Sequence, residues 1–230
     1  MRMKMVVASL LLAAPLAAQN AEVQQKVAEF KQILAQNQQQ RRKFTWLETT
    51  QVAYQGEVKL TKLADCQYTP EGPKPMCNQL EITQAPLPSG FIRKRIAEKK
   101  GAEMKAYMDS VRTLILEYVP PQGALIEKAY QSGNVAVGVD PEAGTKKLVI
   151  SNYREQGDQL VITWNAATKK ITWIKLKTWL NDPSNVVTLN VQFSTLPNGV
   201  FYAYQKVLIA SGGQITVTVT SSDFSEVLAQ

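Results

Sequence analysis

Closely spaced strand-like segments in the second half of the chain constrain the fold most strongly. From Val135 onward, segments rich in Val, Ile, Thr and aromatic residues alternate with short stretches of Gly, Pro, Asn, Asp and Ser. This is the pattern of strands joined by turns. Strands joined by so few residues are expected to pair as antiparallel neighbours. The predicted strands are VAVGVD, KKLVISNY, QLVITWN, KKITWIKLKTWL, VVTLNVQF, GVFYAYQKVLIA and QITVTVTSS.

The first half of the chain supplies the predicted helices and an additional group of strands. Residues 21–42, 92–118 and 123–133 have apolar residues at helical spacing, and residues 43–63 and 78–84 have the period of strands. The order is therefore helix, two to four strands, two helices, and six or seven strands. We predict an α+β fold in which a curved antiparallel sheet is covered on one face by helices.

The first residues have the layout of a secretory signal peptide. Arg2 and Lys4 precede an apolar run of about 13 residues that ends at Ala18. Because a membrane-spanning helix needs about 20 apolar residues, this run is too short to cross a bilayer. We predict that residues 1–18 are a signal peptide and that residues 19–230 form one domain, soluble and periplasmic or secreted. The alternative is a short N-terminal helix that is retained.

The stretch RKRIAEKKGAEMK, residues 93–105, concentrates positive charge on a predicted helix. Nucleic acid is not an expected partner, because removing Arg2 and Lys4 from the 26 basic residues leaves 24 against 19 acidic residues, a modest net charge of +5 in an exported chain. The favoured interpretation is a solvated helix face, and the alternative is a face that contacts anionic headgroups or a partner. The apolar stripe predicted for this helix is Ile92, Ile96, Met104, Met108, Val111 and Ile115.

The two cysteines, Cys66 and Cys77, flank a proline-rich stretch that is typical of a hairpin loop. In an oxidising compartment, two cysteines on either side of a hairpin loop usually form a structural disulfide. Redox-active pairs have the tighter C-x-x-C spacing. We predict a structural disulfide between Cys66 and Cys77, with a free or reactive pair as the alternative.

The residue inventory does not favour catalysis. The chain contains no histidine, which excludes Ser-His-Asp triads, Cys-His pairs and histidine-containing zinc sites. No phosphate-binding or dinucleotide-binding glycine motif occurs. We therefore predict a protein that is not an enzyme and has no catalytic residue, no metal site and no cofactor. Carboxylates that could form an acid–base pair are more simply turn or surface residues: Glu98, Glu103, Asp109, Asp140, Asp158, Asp182 and Asp223.

Alternating residues on the later strands predict one aliphatic face of the sheet. The simplest interpretation is an ordinary core beneath the helices. The alternative is a cavity between helices and sheet that holds an apolar ligand, to which two flexible methionines on the basic helix are suited. The candidate ligand-binding residues are Met104, Met108, Ile162, Trp164, Ile174, Leu176, Leu189, Val191, Phe193 and Val217.

The order of elements, together with two turns, resembles the LolA-like superfamily of lipoprotein and lipid carriers. The most similar stretch is residues 157–224, with turns at residues 165–168 (Asn-Ala-Ala-Thr) and 196–199 (Leu-Pro-Asn-Gly). Residues 93–100 also resemble the second helix of an exported bacterial group of unknown function. The resemblance to the carriers implies an incomplete β-barrel, or half-barrel, whose concave face is covered by a helical lid.

The resemblance also implies a function. We expect a non-catalytic periplasmic binding protein for a hydrophobic ligand, such as a lipid or a lipoprotein acyl chain. Envelope proteins and an anionic membrane surface are further candidate partners. The alternative is a cell-envelope protein-interaction or sensing module without a ligand cavity. In that case a protein would dock on the opposite face of one strand, at Trp173, Lys175, Lys177 and Trp179.

Overall fold

The computed structural model describes residue 32 and residues 35–69, 74–86, 89–140 and 143–227. The predicted signal peptide lies outside these residues. So does most of the predicted first helix, of which residues 35–41 are described and helical. The described residues from Asn37 onward belong to one compact unit.

Besides the helical residues 35–41, the described residues form ten strands, one helix of 26 residues and one of 9 residues, and these follow one another in the predicted order. The strands are β1 (Phe44–Tyr54), β2 (Glu57–Tyr68), β3 (Pro75–Gln84), β4 (Val135–Asp140), β5 (Thr145–Ser151), β6 (Gln159–Asn165), β7 (Ile171–Trp179), β8 (Val186–Thr195), β9 (Phe201–Ala210) and β10 (Ile215–Glu226). The helices are α1 (Phe91–Leu116) and α2 (Gly123–Gln131).

All ten strands belong to a single open antiparallel sheet. Strands β4 to β10 are neighbours in the sheet in the same order as in the chain, as expected of strands joined by short turns. Strand β1 then pairs with β10, and β2 and β3 extend the sheet beyond it. The prediction of an α+β fold built on an unclosed antiparallel sheet is confirmed.

Alternation along each strand gives the sheet one aliphatic face and one more polar face. Residues paired across neighbouring strands lie on the same face, so a row of partners can be followed from strand to strand. One such row, here called the apolar row, is aliphatic on nine strands in succession. It runs from β4 to β2 through Val135, Ile150, Leu160, Leu176, Leu189, Leu208, Val217, Val52 and Leu60.

Helix α1 packs against other parts of the protein mainly through its second half. Val111 is fully buried and packs with Val187 and Ala210, at the ends of β8 and β9. The expectation of one continuous apolar stripe does not hold for Ile92 and Ile96, which are 73% and 52% exposed. At about 100° per residue, Ile92 lies about 100° around the helix from Val111, so the two cannot face the same surface.

Helix α2 lies against β4 and β5, with Ile126 and Ala129 buried. Among the helices of the described part of the chain, none is both long and apolar enough to cross a membrane.

The predicted disulfide is present in the structure. Cys66 and Cys77 are direct partners across β2 and β3, and their Sγ atoms lie 2.01 Å apart, the distance of a disulfide bond. Cys66 is fully buried beside Trp46 and Ala64, whereas Cys77 is exposed on the outer strand of the sheet. Such a bond is compatible with the exported location that the first residues predict.

We expect the double substitution Cys66→Ala/Cys77→Ala to lower the free energy of unfolding by up to about 3 kcal/mol, because the bond restricts the unfolded chain between cysteines 11 residues apart. Urea unfolding followed by circular dichroism measures this loss. Dithiothreitol should produce a similar loss in the wild-type protein and none in the double variant. An unchanged urea midpoint under both treatments would show that the bond contributes no stability.

Candidate functional site

The candidate site is the aliphatic face of the sheet, where exposure increases along the apolar row from β5 to β9, while Val135 at the β4 end is half-buried. Ile150 on β5 and Leu160 on β6 are 0% exposed, and Leu176 on β7 and Leu189 on β8 are 2% and 8% exposed. The next four members of the row are equally apolar but only half-buried. They are Leu208, Val217, Val52 and Leu60, on β9, β10, β1 and β2. The aliphatic surface therefore extends beyond its fully covered part.

A neighbouring row shows the same change in burial and contains a pair of opposite charges. Ile162, Ile174 and Val191 are buried on β6, β7 and β8, and Lys206 continues this row on β9. The Lys206 Nζ lies 2.9 Å from Glu48 Oε2 on β1. The ion pair thus lies on the aliphatic face where complete burial ends. No local sequence pattern indicates it, because the two residues are 158 positions apart.

The structure brings the strand residues of the predicted ligand site onto this one face. Five of them are buried, namely Ile162, Ile174, Leu176, Leu189 and Val191. The others in the predicted set are half-buried, namely Trp164, Phe193 and Val217 on the strands and Met104 and Met108 on α1. Met108 packs in the cluster around Val111. The strand residues thus share one face and Met108 packs beside it, whereas the role of all ten residues in binding stays a prediction.

Buried hydrogen bonds attach the end of α1 to the turn between β5 and β6. The Tyr118 hydroxyl donates to Asp158 Oδ2 over 2.8 Å and lies 2.9 Å from Thr178 Oγ1 on β7. The Asp158 carboxylate, 1% exposed, also accepts the backbone N–H groups of residues 153–155. These donors satisfy a carboxylate that would otherwise be costly to bury. Asp158 lies in a turn as predicted, but inside the protein and not at its surface.

Burial also determines the ionisation of the two tyrosines at this attachment. It raises the pKa of Tyr118 above the ordinary value of 10.0, and the adjacent Asp158 raises that pKa further, whereas the hydrogen bond with Thr178 lowers it. Burial likewise raises the pKa of Tyr153, whose hydroxyl accepts the backbone N–H of Gln122 just before α2. Both hydroxyls therefore stay protonated to a higher pH than an ordinary tyrosine does.

A second attachment of α1 lies at the turns after β7 and β9. The Tyr107 hydroxyl donates to Asn185 Oδ1 over 2.7 Å, and the same oxygen accepts the backbone N–H of Gly212 over 3.1 Å. The Tyr107 ring also lies so close to Gly213 that a Cβ there would be 2.5 Å from a ring carbon. Glycine at this position allows the close approach. The helix is thus held at one end of the strands.

Other carboxylates considered as catalytic candidates form local contacts. Asp140 accepts the backbone N–H of Ala143, and Asp182 accepts hydrogen bonds from the backbone and hydroxyl of Ser184, which lower the pKa of Asp182. The Asp223 carboxylate accepts a hydrogen bond from the Ser222 hydroxyl, and the Glu103 carboxylate lies 3.9 Å from Lys99 Nζ. Glu98 and Asp109 are exposed.

Glu48 and the two cysteine sulfurs lie within 4.8 Å of one another, a spacing compatible with metal binding. Two observations argue against that role. Sulfurs joined in a disulfide lack the thiolate charge that binds metals, and Glu48 is already paired with Lys206.

The tryptophans on the polar face of β7 have partners within the protein. Both Trp173 and Trp179 are half-buried. The Lys175 Nζ lies 5.3 Å from the ring centroid of Trp173, and an added Cβ at Gly157 would be 3.4 Å from the ring of Trp179. These rings are thus less available for a partner than the sequence alone suggested.

Comparisons with known proteins give no match: no family model, no curated protein and no solved structure is significantly similar to the chain. The resemblance to the LolA-like superfamily therefore stays a prediction from turns and element order.

We expect Tyr118→Phe to lower the free energy of unfolding by about 1–3 kcal/mol, because Asp158 loses a buried donor. Urea unfolding at pH 7.5 or thereabouts measures the loss. Tyr204→Phe is the matched control, since Tyr204 is 39% exposed, and it should have little effect. Equal stability of Tyr118→Phe and wild type would show that the hydrogen bond does not hold the helix.

The raised pKa of Tyr118 predicts a loss of stability at alkaline pH. The unfolded protein releases this proton near pH 10.0, the ordinary tyrosine value, whereas the folded protein retains it to higher pH. The stabilisation is therefore complete below about pH 10 and decreases as the pH rises. The stability difference between wild type and Tyr118→Phe should stay constant from about pH 8 to about pH 9.5 and should shrink as the pH is raised from about 10 to about 12, in urea titrations. A difference that stays constant or grows above about pH 10 would contradict the assignment.

Proposed function

We propose that the protein is an exported, non-catalytic carrier that holds an apolar ligand, such as a lipid or an acyl chain, against the aliphatic face of its sheet. In this proposal the sheet is a half-barrel, and the helices act as a lid over its concave face. The periplasm or the exterior is the proposed location.

The change in burial along the apolar row carries the proposal. Leu176 and Leu189 are buried, but Leu208 and Val217 continue the same surface and remain partly exposed. An acyl chain on this second part of the row would remove that surface from water, at about 0.8 kcal/mol for each CH₂ group buried. The ligand would complete a surface that the described helices leave partly uncovered.

Two features of the surrounding residues suit such a ligand. Met104 and Met108 are half-buried on α1, and flexible thioethers adapt to apolar chains of different shapes. The Lys206–Glu48 ion pair lies where the covered surface ends. Ligand sites typically combine a mostly apolar lining with a few polar groups that orient the ligand. This pair would orient a polar headgroup.

A protein-interaction module is the second candidate, with its docking surface around Trp173, Lys175, Lys177 and Trp179. The exposed lysines beside two aromatic rings favour it. This candidate is less well supported than the carrier, because both tryptophan rings already have partners within the protein. The two functions differ in the face of the sheet that they use, so substitutions on opposite faces separate them.

We expect Val217→Trp to reduce ligand occupancy at least about tenfold, because an added indole on the aliphatic face would fill the space of the acyl chain. Thr218→Trp is the matched control, since it places the same ring on the opposite face of β10. Protein exported to the periplasm and purified without detergent would be compared in native and denaturing mass spectra, before and after incubation with oleate.

A lipid-sized adduct that is lost on denaturation, present in wild type and Thr218→Trp and absent from Val217→Trp, supports the carrier. Circular dichroism and thermal melting verify that both variants are folded. A wild-type protein that remains bare even after incubation with oleate and with phosphatidylglycerol contradicts the proposal. Loss of capture of a partner protein in Trp179→Ala, without any lipid adduct, would support the interaction module instead.

A further inference from the structure

The first half of α1 presents large apolar side chains to solvent. Phe91 is 80% exposed, Ile92 is 73% exposed and Ile96 is 52% exposed. Together with Arg95 and Lys99 they line an open groove along this part of the helix. These five residues are here called the basic–apolar face. A cluster of exposed apolar side chains on a folded protein commonly marks a surface that binds a partner or a membrane.

The groove differs from an ordinary protein-binding patch because two of the five residues that line it, Arg95 and Lys99, are cations. Arg93, Arg95, Lys99 and Lys100 are all exposed. Residues 91–105 contain six basic and two acidic residues. The acidic residues are Glu98 and Glu103, and the contact between Glu103 and Lys99 is a long one of 3.9 Å between exposed side chains. Such an exposed contact contributes little stability, and residues 91–105 keep a local excess of four positive charges.

Four of the five residues of the basic–apolar face, all but Ile96, lie about 100° or more around the helix from Val111 on its anchored side. Phe91 precedes Val111 by 20 residues, which places it about 200° around the helix and about 30 Å along its axis. Val111 is fully buried at the anchored end, while Ala97 and Met104, on the Val111 side of the helix, are half-buried. Ile92 lies about 100° and Ile96 about 60° from Val111 by the same count, so the exposed apolar residues run from the edge of the core stripe to the opposite side of the helix.

We propose that the basic–apolar face of α1 docks the protein onto an anionic membrane surface. Phe91, Ile92 and Ile96 would enter the boundary between headgroups and acyl chains, and the arginines and lysines would contact lipid phosphates. Helices that lie in a membrane interface combine these two features. Long basic side chains reach the headgroups while their apolar stems lie beside the buried residues.

Charge complementarity selects this partner over a second copy of the chain. Two such faces would bring together helices that each have a local excess of four positive charges within residues 91–105. Repulsion between them opposes self-association, whereas each basic residue near an anionic leaflet strengthens binding by roughly fivefold. The docking proposal does not rest on the carrier function, because it uses α1 and not the aliphatic face of the sheet.

The test is co-sedimentation of the protein with lipid vesicles, after the full-length chain has been expressed and exported. One set of vesicles contains phosphatidylglycerol and phosphatidylcholine in equal parts, and the other contains phosphatidylcholine alone. All variants share one N-terminus, verified by mass, so differences between them arise from the substitutions. We expect wild-type protein to bind the anionic vesicles at low salt and to be released in about 0.5 M NaCl, which screens surface charge.

Two variants and two matched controls assign the binding surface. Arg95→Glu/Lys99→Glu should weaken binding at least about 25-fold, since the two cations of the groove are lost, and Lys175→Glu/Lys177→Glu makes the same charge change on the polar face of β7. Phe91→Ser/Ile92→Ser/Ile96→Ser should weaken binding at least about tenfold. Its control is Val137→Ser/Val139→Ser, which removes valines that are 67% and 62% exposed on β4.

Binding that is lost in both α1 variants and retained in both controls supports the proposal. The proposal is wrong if wild type does not bind anionic vesicles, if it binds phosphatidylcholine equally well, or if the α1 variants bind as wild type does. Circular dichroism verifies that the variants are folded, as expected for exposed positions. A folded variant that loses vesicle binding but retains an oleate adduct would separate docking from ligand binding.

Discussion

The pairing of β1 with β10 is the contact on which the arrangement of the sheet depends. Every other pair of neighbouring strands is consecutive in the chain and joined by a short connection, so proximity along the chain favours it. The β1–β10 pairing joins residues near opposite ends of the described chain. Strand pairing is favourable because a backbone N–H or C=O group that is buried without a hydrogen-bond partner costs free energy. This single ladder unites β1, β2 and β3 with the other seven strands.

The same pairing assembles side chains that belong to distant parts of the sequence. Trp46 on β1 stacks with Phe224 on β10, with ring centroids 5.7 Å apart. The arginine at position 41 lies over the ring of Trp46. Because β10 lies between β1 and β9, the same pairing also brings the Glu48 carboxylate on β1 within reach of Lys206 on β9. An aromatic cluster and an ion pair on the aliphatic face thus both follow from one backbone ladder.

Helix α1 shows how anchoring and exposure are divided along one element. Its second half is fixed by Val111, Tyr107 and the Tyr118–Asp158 hydrogen bond, whereas its first half carries cations and exposed apolar residues. A helix held at one end leaves the other available for contacts with a partner. A carrier that takes up lipid needs both an apolar surface for the chain and a means of approaching a membrane, and these two proposals assign them to separate surfaces.

Local patterns in the sequence were enough to predict the strands, the turns, the helices α1 and α2 and the Cys66–Cys77 pair. They also placed Ile174, Leu189 and Val217 on one aliphatic face, because alternation along a strand is a property of neighbouring residues. Helical spacing was less informative for α1. The spacing of its apolar residues suggested one continuous stripe, but Ile92 is exposed in the structure.

The sequence by itself thus determined which segments become strands and helices and which residues share a face. Only the tertiary structure decided that β1 pairs with β10, that Asp158 is buried under Tyr118, and where burial of the apolar row ends. The physical reason is range. Periodicity and turn chemistry act over a few residues, whereas burial and ion pairing depend on which distant segments pack together.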